Sequence, residues 1–264
     1  MYEIIKALIL GIIQGLTEFL PVSSSGHLEI ANYILGNEGA LQSNILMTVV
    51  LHFATALATF IVFRKEVADL FSNALRKDRA SLRYLMYIIV SMIPAGIIGL
   101  LFDKQIEALF SSNILLVSIM LIFTGVLLLI ADYAKDRGLV LSYKNTFLIG
   151  VAQAIAILPG VSRSGATIST SILLGIDRTT STRFSFLMVI PLIFGKMFLD
   201  LLQGDFTGAD VQLIPLIVGF SAAFISGYAA CIWMLKLVKN AKLRYFAIYC
   251  FIIALIGVTY LWMK

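Results

Sequence analysis

The chain has 264 residues, of which 60% are hydrophobic and only 13% charged, with a mean hydropathy of +0.97 and a formal net charge of +5. A soluble domain is nearer half apolar and a quarter charged, so too little polar material exists here for a solvated skin. Only Cys231 and Cys250 occur, both in apolar runs, which excludes a disulfide-framed secreted scaffold. The basic residues form short clusters rather than a basic face, so no nucleic-acid partner is expected despite the positive charge. What remains is an all-α polytopic membrane protein, with 1–264 forming a single integral membrane domain surrounded by membrane lipid.

An apolar stretch over roughly 4–36 opens the chain and breaks midway, from Pro21 to His27. It lacks a basic start and a small-residue cleavage site, so it does not read as a cleavable signal peptide. Uninterrupted apolar runs long enough to cross a bilayer follow at about 45–63, 84–102 and 114–131. A second interrupted stretch, about 146–176, breaks from Pro159 to Ser164. Three more clear spans lie at about 184–201, 214–235 and 245–262.

Loop charges orient these segments. The loop after the first clear span carries Arg64, Lys65, Arg76, Lys77, Arg79 and Arg83. Lys135, Arg137 and Lys144 mark a second basic loop, and Lys236, Lys239, Lys242 and Arg244 a third. Basic loops belong in the cytoplasm. The loop with Asp103 and Glu107 beside Lys104, and the one with Asp205 and Asp210, belong outside. An odd number of crossings must therefore separate 144 from 205, yet two apolar segments lie there. The interrupted one, 146–176, is accordingly expected to be a re-entrant hairpin that enters and leaves on the cytoplasmic side, with Arg178 and Arg183 at its exit.

Sliding the sequence by 139 positions superposes Gly11 on Gly150, Gln14 on Gln153, Val22 on Val161, Ser23 on Ser162, Ser25 on Ser164 and Gly26 on Gly165. Leu35 and Gly36 fall on Leu174 and Gly175, and Glu38 on Asp177. Each repeat, about 1–138 and about 139–264, then holds one broken hairpin and three spans. Three is odd, so the second repeat inserts upside down. The expected fold is an inverted-topology repeat of six transmembrane helices plus two re-entrant helical hairpins. The N-terminal hairpin should enter from outside, with both termini external.

Non-helical backbone at membrane depth survives only where protein or water satisfies it, so such breaks line cavities. In both breaks a Pro stops one half-helix and serines start the next. A serine hydroxyl caps early helical N–H groups, and a half-helix N-terminus is a ready anion site. Glu18 follows Gln14 by four residues on one helix face. His27 sits a turn past the first serines, and Arg163 lies between Ser162 and Ser164 in the second break. Ionisable groups at this depth are costly and usually functional. The guanidinium fork suits phosphate, Glu or His can act as acid or base, and a hydroxyl or imidazole as nucleophile. Together these groups suit phosphoryl transfer. A buried Glu18–Arg163 ion pair, with serines serving only as caps, is the plainer alternative.

Other polar residues rank lower. His52 has no acidic neighbour in sequence and is expected to be a helix–helix hydrogen bonder. Glu29 points about 200° of helical rotation away from His27 and is secondary. Thr167 can add a hydroxyl to the site or bond its own backbone. Lys196 and Asp200 form an i,i+4 pair near an outer end. Gly219, Ala222, Ala223 and Gly227 can pack helices within the chain or in a homodimer.

The stretch Gln14-Gly15-Leu16-Thr17-Glu18-Phe19-Leu20-Pro21-Val22-Ser23-Ser24-Ser25-Gly26-His27 resembles the first motif of the undecaprenyl-diphosphate phosphatase family, the bacitracin-resistance type. Pro159-Gly160-Val161-Ser162-Arg163-Ser164-Gly165-Ala166-Thr167 resembles its second. The resemblance covers nearly the whole chain, including Met92-Ile93-Pro94-Ala95 and Phe184-Ser185-Phe186-Leu187. The family allows Glu or Gln at the position of Gln14, which leaves Glu18 as the carboxylate of that pair.

The resemblance implies hydrolysis of undecaprenyl diphosphate to the monophosphate and inorganic phosphate, which recycles the lipid carrier of cell-wall polymers. It further implies bacitracin resistance, a bacterial plasma-membrane location with the site open outward, and a divalent cation, Mg²⁺ or Ca²⁺. Glu18, Ser24, His27 and Arg163 are the expected catalytic residues, with Gln14, Ser23, Ser25, Gly26, Ser162, Ser164, Gly165 and Thr167 binding substrate. Arg163 and the two half-helix N-termini are expected to hold the diphosphate. Glu18 is the expected metal ligand or base. Ser24 is the leading nucleophile with His27 as partner or acid, and His27 as nucleophile is its rival. Inverted repeats with broken helices are also a transporter architecture, so movement of a phosphorylated lipid or an anion stays open as the alternative.

Overall fold

The computed structural model describes residues 1–35, 41–109, 113–135, 137–203, 212–238 and 242–263. Gly36, Glu38, Asp205, Asp210 and Lys239 lie outside the described residues, as do the side chains of Glu107, Lys196 and Asp200. The described helices, in chain order, are α1 Tyr2–Phe19, α2 Ser24–Ile34, α3 Leu41–Leu75, α4 Arg79–Leu101, α5 Asp103–Leu109, α6 Ile114–Asp132, α7 Tyr143–Ile155, α8 Arg163–Leu173, α9 Arg178–Gln203, α10 Leu213–Val238 and α11 Arg244–Met263. Among the described residues the only β feature is a parallel bridge between Leu139 and Ile176.

Both interrupted stretches are helix–break–helix units, α1–α2 and α7–α8. In each, the two outer ends lie together. Tyr2 Oη at the start of α1 donates to Leu35 O at the end of α2, at 2.9 Å. Leu139 N, before α7, donates to Gly175 O, after α8, at 3.1 Å.

Among the described residues, five helices are long and apolar enough to cross a membrane: α3, α4, α6, α10 and α11. The sixth expected span is the 26-residue α9, which is not among them. Its first turns are Arg178-Thr179-Thr180-Ser181-Thr182-Arg183, and Phe184 to Ile190 are buried in protein. An element surrounded by its own chain does not need a lipid-compatible composition. The first span also differs from expectation at its end, because α3 runs on to Leu75 through Arg64, Lys65 and Glu66. Hydropathy reads only the apolar part of a helix, while good helix formers such as Glu66, Ala68, Leu70 and Ala74 continue it past the bilayer. Asp78 then caps α4, accepting from Ser81 N at 2.8 Å and Ser81 Oγ at 2.7 Å. Those two bonds hold the carboxyl below its usual range.

The surface is inverted relative to a soluble protein. Ile89, Ile93 and Ile97 on α4, and Ile248, Ile252 and Leu255 on α11, are exposed, while Gln14, Glu18, Ser91, Ser118, Thr124 and Gln153 are buried. Only lipid makes such a surface inexpensive. The chain is a multi-pass membrane protein.

α1 packs against α10 and α7 against α4, while α3 meets α9 and α6 meets α11. Small residues set the first contact. A Cβ built on Gly11 would lie 2.5 Å from Gly219 O and 2.8 Å from Ala222 Cβ. Gly15 stands equally close to Gly227 and Ala223. The small-residue stripe of α10 is thus used within the chain. At one end of the bundle, Asp132 closes α6 by accepting from Leu243 N at 2.7 Å and pairing with Arg178 at 3.4 Å.

Candidate active site

The two breaks meet. Ser23, with φ +72, caps α2, and its hydroxyl accepts from Gly26 N at 3.1 Å. Ser162 caps α8 in the same way, accepting from Gly165 N at 3.0 Å. The hydroxyls of Ser23 and Ser25 lie 3.3 Å apart, as do those of Ser162 and Ser164. Each break also reaches the other. Gly160 N donates to Ser25 Oγ at 3.4 Å, and Ser164 Oγ donates to Leu20 O at 3.2 Å. Glycines permit this approach: a Cβ on Gly26 would lie 3.2 Å from Gly160 Cα, and one on Gly165 3.4 Å from Pro21 O. Thr124 on α6 braces the second break, accepting from Ser162 N at 3.0 Å.

Arg163 Nη2 donates to Glu18 Oε1, which joins the first turn of α8 to the last turn of α1. The other oxygen, Oε2, accepts from Ser24 Oγ at 2.7 Å and from Gln14 Nε2 at 3.0 Å. Gln14 is steadied by Thr55, 3.4 Å away on α3. The Glu18 side chain is 4% exposed and that of Arg163 is 21% exposed. The carboxylate is therefore enclosed, while the Arg163 side chain is partly exposed.

A cavity of about 330 Å³ opens on this cluster. That size suits a small-molecule site. Glu18, Ser24, Ser25, Ser162, Arg163 and Ser164 line it. So do Leu28, Glu29 and Asn32 of α2, and Thr48 and His52 of α3. Positions 24, 25, 28, 29 and 32 form one helix face. His27 is on the opposite face and is not part of the lining. Its Nδ1 lies 2.7 Å from Ser23 O and its Nε2 2.9 Å from Tyr249 Oη on α11. The expected 200° between Glu29 and His27 is present, with the cavity on the Glu29 side.

Thr167 is also off the cavity. Its hydroxyl donates to Arg163 O at 2.9 Å and lies 2.6 Å from Ser185 Oγ, which braces the first turn of α8 against α9. Gln14, Ser23, Gly26 and Gly165 sit behind the lining as supports. His52 departs from expectation. Among the described residues its hydrogen bond is within its own helix, with Nδ1 2.9 Å from Thr48 O, and the residue lines the cavity. Nothing local marks His52 or Glu29, since their place depends on how α2 and α3 pack around the breaks.

Facing capped helix N-termini, a partly exposed arginine and a hydroxyl on a carboxylate are features that suit anion binding and group transfer. The chain belongs to the family described as bacitracin resistance protein BacA, whose match covers residues 7–256. It is 56% identical, over 98% of both chains, to a protein of Christiangramia forsetii named undecaprenyl-diphosphatase. Proteins of the same name are 47% identical in Bacteroides fragilis, over 97% of each chain, and 37% identical in Methanobrevibacter smithii, over 96% of each.

Proposed function

We propose that this protein is an undecaprenyl-diphosphate phosphatase, a hydrolase that converts undecaprenyl diphosphate and water to undecaprenyl phosphate and inorganic phosphate. The product re-enters cell-wall synthesis, and removal of the diphosphate lipid protects against bacitracin. The observation that carries this reading is the Ser24–Glu18 hydrogen bond inside a cavity shared with Arg163.

The reaction follows from that bond. Arg163 and the N–H groups opening α2 and α8 hold the diphosphate. Glu18 takes the Ser24 proton as Oγ attacks the terminal phosphorus. The bond from that phosphorus to the bridging oxygen breaks, and undecaprenyl phosphate leaves. Water then attacks the phosphoserine, the Oγ–P bond breaks, and Ser24 recovers its proton from Glu18. Phosphoryl transfer depends mainly on positioning and charge stabilisation, which is what a preset Arg163 and two fixed N-termini supply.

The donor set fits a divalent cation. Mg²⁺ is commonly held by one or two carboxylates plus phosphate oxygens, and Glu18 and Glu29 line the same cavity. Among the described residues no group of three or more His, Cys, Asp and Glu exists to form an all-protein cage. With Glu18 occupied by Arg163, Ser24 and Gln14 and serving as the base, Glu29 would hold Mg²⁺ or Ca²⁺, and the ion would neutralise diphosphate charge.

The inverted repeat and its two re-entrant hairpins draw support from the packing. α1 on α10 corresponds to α7 on α4, and each broken hairpin has its outer ends tied together. Tyr33, near the end of α2, meets Tyr260, near the end of α11, which groups both termini at one end. The opposite end carries Arg137, Arg178 and Arg183, expected in the cytoplasm. The cavity extends from the breaks to Asn32, Thr48 and Met197. These lie toward the end that holds the termini, which favours a site open to the external face of a bacterial plasma membrane.

The paired broken hairpins also suit a transporter of a phosphorylated lipid or anion. Purified protein in detergent distinguishes the two. Phosphate release from undecaprenyl diphosphate supports the hydrolase. Vesicle flux of the lipid or of phosphate without release supports the transporter.

A further inference from the structure

We propose that His52 is a further catalytic residue, the base that activates the water which breaks the phosphoserine. This inference rests on the serine-nucleophile reading above. Three observations carry it. His52 Nδ1 lies 2.9 Å from Thr48 O. A carbonyl oxygen only accepts, so Nδ1 carries the proton, and in the neutral ring Nε2 then holds the lone pair. The ring lines the cavity that also contains Ser24. It stands on α3, a membrane span, where an ionisable side chain is costly without a task.

The second half-reaction needs such a group. After the first transfer, Glu18 holds the Ser24 proton and must return it to the departing Oγ. Arg163 is always protonated and cannot accept. His27 is held between Ser23 O and Tyr249 on the far face of α2. Among the described residues, the other charged and titratable groups facing the same cavity are Glu18 from α1, Glu29 from α2 and Arg163 from α8. Glu29 is assigned to the cation, which leaves His52 Nε2 for the water. In balanced form, the water oxygen bonds to the phosphoserine phosphorus and its proton passes to His52 Nε2. The Oγ–P bond breaks, Ser24 takes back its proton from Glu18, and inorganic phosphate departs. His52 then returns its proton to bulk water through the cavity. Fixing the ring by its own backbone, one turn earlier, sets its tautomer without a partner helix.

The test uses full-length protein in detergent and undecaprenyl diphosphate labelled in the terminal phosphate. In His52→Gln, steady-state phosphate release should fall by about 10²–10⁴, the usual worth of a general base. First-turnover formation of undecaprenyl phosphate should stay near the wild-type rate, and label should accumulate on Ser24. Added imidazole should restore part of the release, which a merely structural role does not produce. His52→Asn, a shorter amide, repeats the measurement in case Gln disturbs packing. Steady-state release within threefold of wild type in both variants overturns the inference, as does slow release with no labelled enzyme. Turnover that survives Ser24→Ala instead overturns the serine reading, and this step with it.

Discussion

Glu18 and Arg163 each sit at the wrong end of a helix dipole and pair with one another. Glu18 is one residue from the C-terminus of α1, where partial negative charge gathers, and Arg163 opens α8, where partial positive charge gathers. Each charge opposes its own helix, and the pairing relieves both. In the proposed mechanism, a diphosphate arriving at α8 would compete with Glu18 for the guanidinium and leave the carboxylate to Ser24. A pair retained only for stability would sit better with the charges exchanged.

Removal of either partner should therefore disable the same step. Glu18→Ala and Arg163→Ala should each lower kcat by about 10³ or more, comparable with the loss of one transition-state donor or more. Arg163→Lys should recover little, because an ammonium lacks the planar fork. The double variant should be hardly worse than either single one, since groups acting as a unit are non-additive. Steady-state kinetics on all four proteins checks this, and additive losses would count against a shared role.

Chelation should abolish phosphate release, and Mg²⁺ or Ca²⁺ should restore it. Glu29→Gln should raise the cation concentration for half-maximal activity by about tenfold or more, the scale of change expected on losing a carboxylate ligand's support. A cation titration of activity reads the shift directly, and an unchanged midpoint would remove Glu29 from the cation site.

Gly160→Ala should destabilise the fold strongly. Its φ is +93, and a Cβ there would lie 2.5 Å from Val117 O, a backbone atom that cannot move aside. The cost should exceed about 1 kcal/mol, because both the conformation and the space are wrong. Gly99 on α4 has nothing within 4 Å, so Gly99→Ala is the control and should be neutral or slightly stabilising. Melting temperatures in detergent compare the two.

Tyr249→Phe removes the hydroxyl that meets His27 Nε2. The expected cost is about 1 kcal/mol of stability for one hydrogen bond, with kcat within tenfold of wild type. A loss of 10² or more in kcat at unchanged stability would mean that His27 turns into the cavity during turnover.

Much of this architecture was legible in the sequence because its signals are local. Pro21 and Pro159 end half-helices, Ser23 and Ser162 begin them, and the 139-residue offset pairs the two breaks without any knowledge of packing. The meeting of Glu18 and Arg163 could be anticipated from the cost of burying either alone. The reach of α3 past Arg64 was not legible, because hydropathy ends where the lipid does. His52, Glu29 and His27 depended on non-local geometry. A helical wheel separates Glu29 from His27, but only the packing of α3 and α11 decides which face of α2 looks into the cavity.

The most direct measurement is steady-state hydrolysis of undecaprenyl diphosphate by purified Ser24→Ala, scored as inorganic phosphate released. With a serine nucleophile hydrogen-bonded to Glu18, the rate should fall by at least about 10³, the scale seen when a covalent nucleophile is removed. A rate within tenfold of wild type would contradict the account.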